Sequence, residues 1–279
     1  MAGVLPTVSC YGCGHASLQE VFHYAEPPMG ETVFSFSHGG QYARDILQCP
    51  KCGHSQSVHQ MDTSEMYSAE YVNSTYGEKG MLATYEKIVQ LPRDRSDNWA
   101  RCDRVHSFAE QYFGNPLHGK TILDVGSGLC VFLNRMKELG WQGTALDPDE
   151  RAAMHARQVV GVNSICGDFF ETELEQPFDV LTLNKVLEHV DDPVTMLAKA
   201  ASLIHDEGFV YIEVPDGEMA AREGQGREEF FVEHLHVFSM MSTLRVCQRA
   251  GFDVVVLERL QEPSTKYTIR AFLRKRSAA

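Results

Sequence analysis

Two pairs of cysteines carry the plainest chemistry in this 279-residue chain. Cys10 and Cys13 form one C-x-x-C pair and Cys49 and Cys52 form another. Each pair is followed by a glycine and a histidine: Gly14 and His15, then Gly53 and His54. A C-x-x-C-G turn aims two thiolates at one point, and the glycine supplies the positive φ that such a turn needs. Two turns give four sulfurs, the closed tetrahedral set that holds a structural zinc and leaves no coordination position for catalysis. In a reducing compartment this paired spacing favours a metal over disulfides. Cys102, Cys130, Cys166 and Cys247 stand singly. His15 and His54 are expected to pack beside the sulfurs or to face solvent.

A second set of residues is spread over the C-terminal half. Asp124, Gly126 and Gly128 form a D-x-G-x-G run, Asp147 closes the next apolar run, Asp168 precedes Phe169, and Asn184 closes a later one. Glycines between a strand and a helix let a ligand approach the backbone, and an acid ending the next strand can accept hydrogen bonds from ribose hydroxyls. A dinucleotide site would want a third glycine where this chain has Val131, which argues against NAD. Further on, Glu233, His234 and His236 cluster. A histidine there is suited to taking a proton from an acceptor, and the adjacent Glu233 can bias the imidazole's charge.

These groups need elements to position them. Apolar runs predict strands at 121–125, 142–146, 164–166, 178–184, 209–214, 254–257 and 267–273. Helical periodicity predicts helices at 129–139, 151–160, 194–204 and 242–250, with Gly140 and Gly251 as C-caps and Pro193 in a first turn. The alternation implies an α/β fold: a doubly wound parallel sheet covered on both faces and ending in an antiparallel hairpin. Strand-like stretches at 32–37 and 45–48 lie between the cysteine pairs, a zinc-ribbon layout with a long insertion. Helices at 81–90 and 98–113, parted by Pro92, precede the main domain. With Tyr67, Tyr71 and Tyr76 they are expected to cover the mouth of its site. The resulting division is a zinc-binding module over 1–60, a helical cap over 61–115 and a ligand-binding domain over 116–279.

The set formed by Asp124-x-Gly126-x-Gly128, Asp147, Gly167-Asp168-Phe169 and the run 178–189 (Phe-Asp-Val-Leu-Thr-Leu-Asn-Lys-Val-Leu-Glu-His) resembles class I S-adenosylmethionine-dependent methyltransferases. The resemblance covers 117–273 and implies their Rossmann-like sheet. It implies that Asp124, Gly126 and Gly128 hold the methionine portion of S-adenosylmethionine. Asp147 would bind the ribose, Asp168 and Phe169 would flank the adenine, and Asn184 would end near the sulfonium. S-adenosylhomocysteine would be the product. Cys130 stands where that family often has a third glycine.

The N-terminal half, with its cysteine pairs and the run 22–28, resembles the zinc-binding head of bacterial sugar methyltransferases. That resemblance implies a sugar or nucleotide-linked sugar as acceptor. Glu233 and His234 would match the Glu-His pair of those enzymes, with His234 as general base and His236 as a second candidate. His189, in a Glu188-His189 pair, would position the helix that follows.

The formal net charge of −13 repels phosphate backbones, so nucleic acid is not an expected partner. The cluster Arg274, Lys275 and Arg276 reads as a solvated tail. No apolar run approaches the roughly 20 residues that span a bilayer. The first residues lack a basic region followed by an apolar core, which makes the cytoplasm the expected compartment. Three rival readings remain at this level. They are an RNA base methyltransferase that presents RNA on the zinc ribbon, a non-catalytic partner-binding module, and small-molecule O-methylation in natural-product synthesis.

Overall fold

A computed structural model describes residues 8–37, 42–63, 66, 77–174 and 176–276. Tyr67, Tyr71 and Tyr76 lie outside the described residues. The strands in chain order are β1 (Gln19–Tyr24), β2 (Arg44–Gln48), β3 (Ser55–His59), β4 (Thr121–Val125), β5 (Gln142–Asp147), β6 (Asn163–Cys166), β7 (Phe178–Asn184), β8 (Ile204–Pro215), β9 (His236–Val237), β10 (Phe252–Gln261) and β11 (Tyr267–Lys275).

Seven of them form one sheet in the order β10-β11-β8-β7-β4-β5-β6. The strands from β4 to β8 pair in parallel, and β11 and β10 close the sheet in antiparallel fashion. The central strand β7 shows why. Val180, Leu181, Thr182 and Leu183 are all fully buried, as a strand covered on both faces requires. Leu181 and Leu183 pack with Leu197 and Val246 under the helices Pro193–Ser202 and Met240–Arg249. Val180 faces the other way, packing with Ile122, Leu133 and Phe209 under the helices Asp97–Phe113 and Val131–Glu138. Each such side chain contributes roughly 1.5–3 kcal/mol of burial, so the strand tips on which the site is built are firmly held.

Helix starts are set locally. Asp192 accepts a hydrogen bond from Thr195 N (2.9 Å) with Pro193 in the first turn. Ser239 and Ser242 cap each other's backbone in a reciprocal box. No helix among the described residues is long and apolar enough to cross a membrane.

The second sheet is antiparallel, ordered β1-β2-β3-β9. Its last strand comes from the far end of the chain: Ser55 pairs with Val237 and Gln56 with His236. Tyr24, Phe34, Tyr42 and Ile46 of the N-terminal region share one core with Phe230, Val232 and Val237.

Two expectations are corrected here. Residues 32–37 form no strand. They end in the single 3-10 turn Ser35–Ser37, where Ser37 Oγ accepts from Phe34 N (3.0 Å) and Phe34 stacks on Phe36. A side-chain oxygen that satisfies its own backbone competes with strand pairing. The helix expected over 151–160 is α-helical only over Glu150–His155 and then widens into a π-helical turn, Ala156–Val160. β1, β3 and β9 carry no apolar alternation of their own and exist through pairing with their neighbours.

Candidate active site

The loop after β4 is built on backbone that side chains resist. Gly126 (φ 68°) and Gly128 (φ 49°) are left-handed, and so is Cys130 (φ 57°), just before the helix Val131–Glu138. A Cβ on Gly126 would meet Val186 Cγ2 at 2.9 Å, whereas one on Gly128 would meet nothing within 4 Å. The first glycine therefore allows the loop to close on β7's exit, and the second leaves its backbone open to a ligand. Asp147, at the tip of β5, accepts from Gly128 N (2.8 Å) and Asp149 N (3.0 Å), which ties two strand tips together. Asp168 accepts from Phe170 N (2.7 Å) and so shapes the turn that presents Phe169.

These tips enclose a cleft of about 950 Å³. Gly126, Gly128 and Asp147 line one part of it, Asp168 and Phe169 another, and Lys185, Val186 and His189 a third. Asp124 and Asn184 are not brought to this lining. Asp124 is buried behind the glycine loop, where it accepts from Thr182 Oγ1 (2.6 Å) and Asn184 Nδ2 (2.8 Å). Burial pushes its pKa up to about 6, against the opposing pull of those two hydrogen bonds. The pair braces β4 against β7.

Past β7 the chain turns at Lys185, a left-handed residue (φ 61°) whose ammonium donates to Thr268 Oγ1 (3.0 Å). The short turn Leu187–His189 then sends Glu188 inward and leaves His189 on the cleft. Neither carboxylate oxygen of Glu188 has a hydrogen-bond partner among the described residues, and burial pushes its pKa up to about 7.

His189 Nδ1 pairs with the Glu233 carbonyl (2.8 Å), and His234 Nδ1 with the Glu229 carbonyl (2.9 Å). A carbonyl only accepts, so in both neutral rings Nδ1 carries the proton and Nε2 keeps its lone pair. The rings meet edge to face, with centroids 4.9 Å apart. Burial, followed by the neighbouring His189, holds His234 well below the ordinary histidine pKa of 6.5.

His236 is placed differently. Its Nε2 pairs with the Asp191 carbonyl (3.3 Å) and its Nδ1 with His54 Nε2 (3.1 Å), while His54 Nδ1 meets Ser242 Oγ (3.2 Å). The carbonyl fixes the proton on His236 Nε2, so its lone pair accepts from His54. His236 thus has no free nitrogen to act as a base, a correction to its candidacy. His54, expected beside the sulfurs or in solvent, is a fully buried link between β9 and the helix Met240–Arg249.

The four paired cysteines converge as their spacing predicts. Their sulfurs lie within 4.8 Å of one another, with Cys10 to Cys52 at 3.4 Å and Cys13 to Cys49 at 3.6 Å. The two turns repeat one geometry: Gly14 N donates to Cys10 O (2.7 Å) and Gly53 N to Cys49 O (2.9 Å), both glycines being left-handed. Zinc with bonds of about 2.3 Å to four sulfurs needs S···S edges of about 3.8 Å, close to what these turns provide.

A parallel sheet with a glycine loop at its first strand tip, acids at the next two and an antiparallel closing hairpin defines an S-adenosylmethionine-dependent methyltransferase. Residues 94–257, more than half of the chain, match the sequence family described as a methyltransferase domain, and the chain belongs to that family.

Among its relatives is the ubiquinone biosynthesis O-methyltransferase of Caulobacter vibrioides, 33% identical over 104 residues, or 35% of this chain and 41% of the relative. The corresponding enzyme of Thiobacillus denitrificans is 31% identical over 103 residues, or 34% and 44%. The match spans less than half the length of these relatives. In fold, the chain is similar to the 1,6-didemethyltoxoflavin-N1-methyltransferase of Burkholderia thailandensis, solved with its substrate and S-adenosylhomocysteine. The TM-score is 0.56 at 18% identity, covering 91% of this chain and 100% of that one. It is also similar to the magnesium protoporphyrin IX methyltransferase of Synechocystis (TM-score 0.56, 16% identity, 74% and 97% covered).

Gly126→Ala is expected to weaken S-adenosylhomocysteine binding about tenfold or more, measured by calorimetry. A left-handed non-glycine residue costs about 1–2 kcal/mol, and the new methyl must also displace Val186. Lys185 was not legible as a lining residue in the sequence. The available signal was its position immediately after β7, where ligands of such sheets gather.

Proposed function

We propose that this methyltransferase acts on a hydroxyl of a sugar or nucleotide-linked sugar, with His234 as general base and a structural zinc in the four-cysteine site. The observation that carries the reading is that His189 lines the cleft and His234, outside that lining, meets it edge to face, each ring keeping its Nε2 lone pair.

S-adenosylmethionine, when bound, supplies an electrophilic methyl group on a sulfonium. Asp147 would accept from its ribose hydroxyls, the Gly126–Gly128 backbone would hold its methionine end, and Asp168 and Phe169 would hold its adenine. Asn184, held by Asp124, sets the exit of β7. His234 Nε2 would take the acceptor's hydroxyl proton as that oxygen received the methyl group, with S-adenosylhomocysteine as the leaving product. Positioning and the exclusion of water account for much of the remaining gain. Glu233 adds its carbonyl, which fixes the tautomer of His189. The relatives named as O-methyltransferases support oxygen as the receiving atom.

The net charge of −13 disfavours the RNA reading. The deciding assay follows labelled methyl from S-adenosylmethionine into a panel of nucleotide-linked sugars and a ubiquinone precursor. Label on the sugar panel supports the proposal. Label on the ubiquinone precursor alone would transfer the acceptor assignment to it. No label on either, with S-adenosylhomocysteine bound, would favour the partner-binding reading.

A further inference from the structure

The loop that carries Glu233 and His234 is held both by the methyltransferase domain and by the N-terminal region. Upstream, Glu229 pairs with Arg227 (2.9 Å) and accepts from Tyr267 N (2.7 Å). Downstream, Leu235 N donates to Glu188 O (2.8 Å) and Ser57 N donates to Leu235 O (3.1 Å). Between these anchors His189 Nδ1 meets the Glu233 carbonyl, and two further contacts come from the N-terminal region. Arg44 Nη1 donates to the Phe230 carbonyl (2.6 Å), and Glu31 Oε2 accepts from Val232 N (2.7 Å), one on each side of Phe231.

Arg44 and Glu31 are themselves paired (3.2 Å), and both side chains are fully excluded from solvent. Tyr42 OH accepts from Arg44 Nε (3.2 Å) and donates to Glu31 Oε1 (2.6 Å), and the guanidinium lies 4.3 Å from the centre of the Tyr24 ring. A buried ion pair of this kind is weak evidence for stability, because desolvation offsets its attraction. Here its outward-facing hydrogen bonds fall on two backbone groups that belong to no strand.

We propose that Glu31 and Arg44 are positioning residues for methyl transfer, gripping the backbone on both sides of Phe231 so that His234 is held against His189. The inference rests on the reading of His234 as the base, but its test does not require the acceptor. The double variant Glu31→Leu/Arg44→Met removes both charges together and leaves neither unpaired. It is expected to bind S-adenosylhomocysteine within about twofold of the parent, because the cleft lies on the other sheet. Amide exchange over 228–235 should rise about tenfold or more, with the seven-stranded sheet unchanged. The His234 resonance of protein labelled at histidine Cε1 should shift or broaden. Unchanged exchange over 228–235 together with an unchanged His234 resonance overturns the inference.

If the double variant does not fold, single variants decide. Glu31→Gln keeps an acceptor for Val232 N and should retain the protection of 228–235, whereas Glu31→Ala should lose it. Equal behaviour of the two overturns the inference. His234→Asn separates the two ideas: full methyl transfer by that variant removes the base assignment and leaves the exchange result standing.

Discussion

His234→Asn is expected to lower methyl transfer by about 10²–10⁴-fold, the range supplied by a positioned general base, with S-adenosylhomocysteine affinity kept within about twofold. Asparagine can still donate to the Glu229 carbonyl, so the loop keeps its hydrogen bond while losing the lone pair that takes the proton. The pH profile carries the sign. Burial and His189 hold His234 below its ordinary range, so the ring stays neutral, and competent as a base, to lower pH than a solvated histidine. The acid limb of kcat/KM should therefore fall below 6.5 and disappear in the variant. His236→Asn is the contrast, because His236 spends its lone pair on His54. Equal losses in both variants would show that the cluster acts through folding alone.

The second large effect concerns the cysteines. Cys52→Ser, or a strong chelator at neutral pH, is expected to release one zinc per chain and to melt the antiparallel sheet. Structural zinc sites are worth roughly 10–16 kcal/mol in isolated peptides. The damage should extend beyond the knuckles. Cys52 O accepts from Ser239 Oγ, and His54 links Ser242 to His236. Exchange protection should fall over β1 to β3 and over the start of the helix Met240–Arg249, with S-adenosylhomocysteine binding preserved. Zinc far below one equivalent by elemental analysis, or a chelator that leaves exchange untouched, would refute this.

What was legible in the sequence was local. Gly126, Gly128 and Asp147 stand at strand tips that their own neighbours define, and Cys10, Cys13, Cys49 and Cys52 sit in turns a few residues long. What was not legible depends on distant partners. Asp124 looks like a ligand-facing acid until Thr182 and Asn184 are folded onto it. Only the Glu-His resemblance sets His234 before His236 in the sequence. They part because His54, far away in the chain, claims one of them. Arg44 precedes the strand expected at 45–48, and only the arrival of Phe230 and Glu31 shows it to be buried.

The pairing of β9 with β3 bears on how such an enzyme can be recombined. A crossover placed after residue 60 would graft a head lacking its fourth strand onto a body whose segment around 228–239 had lost its contacts with Glu31 and Arg44. Exchange of acceptor preference between relatives should therefore succeed only when the head and the segment around 228–239 travel together as one cassette, although they are written far apart in the gene.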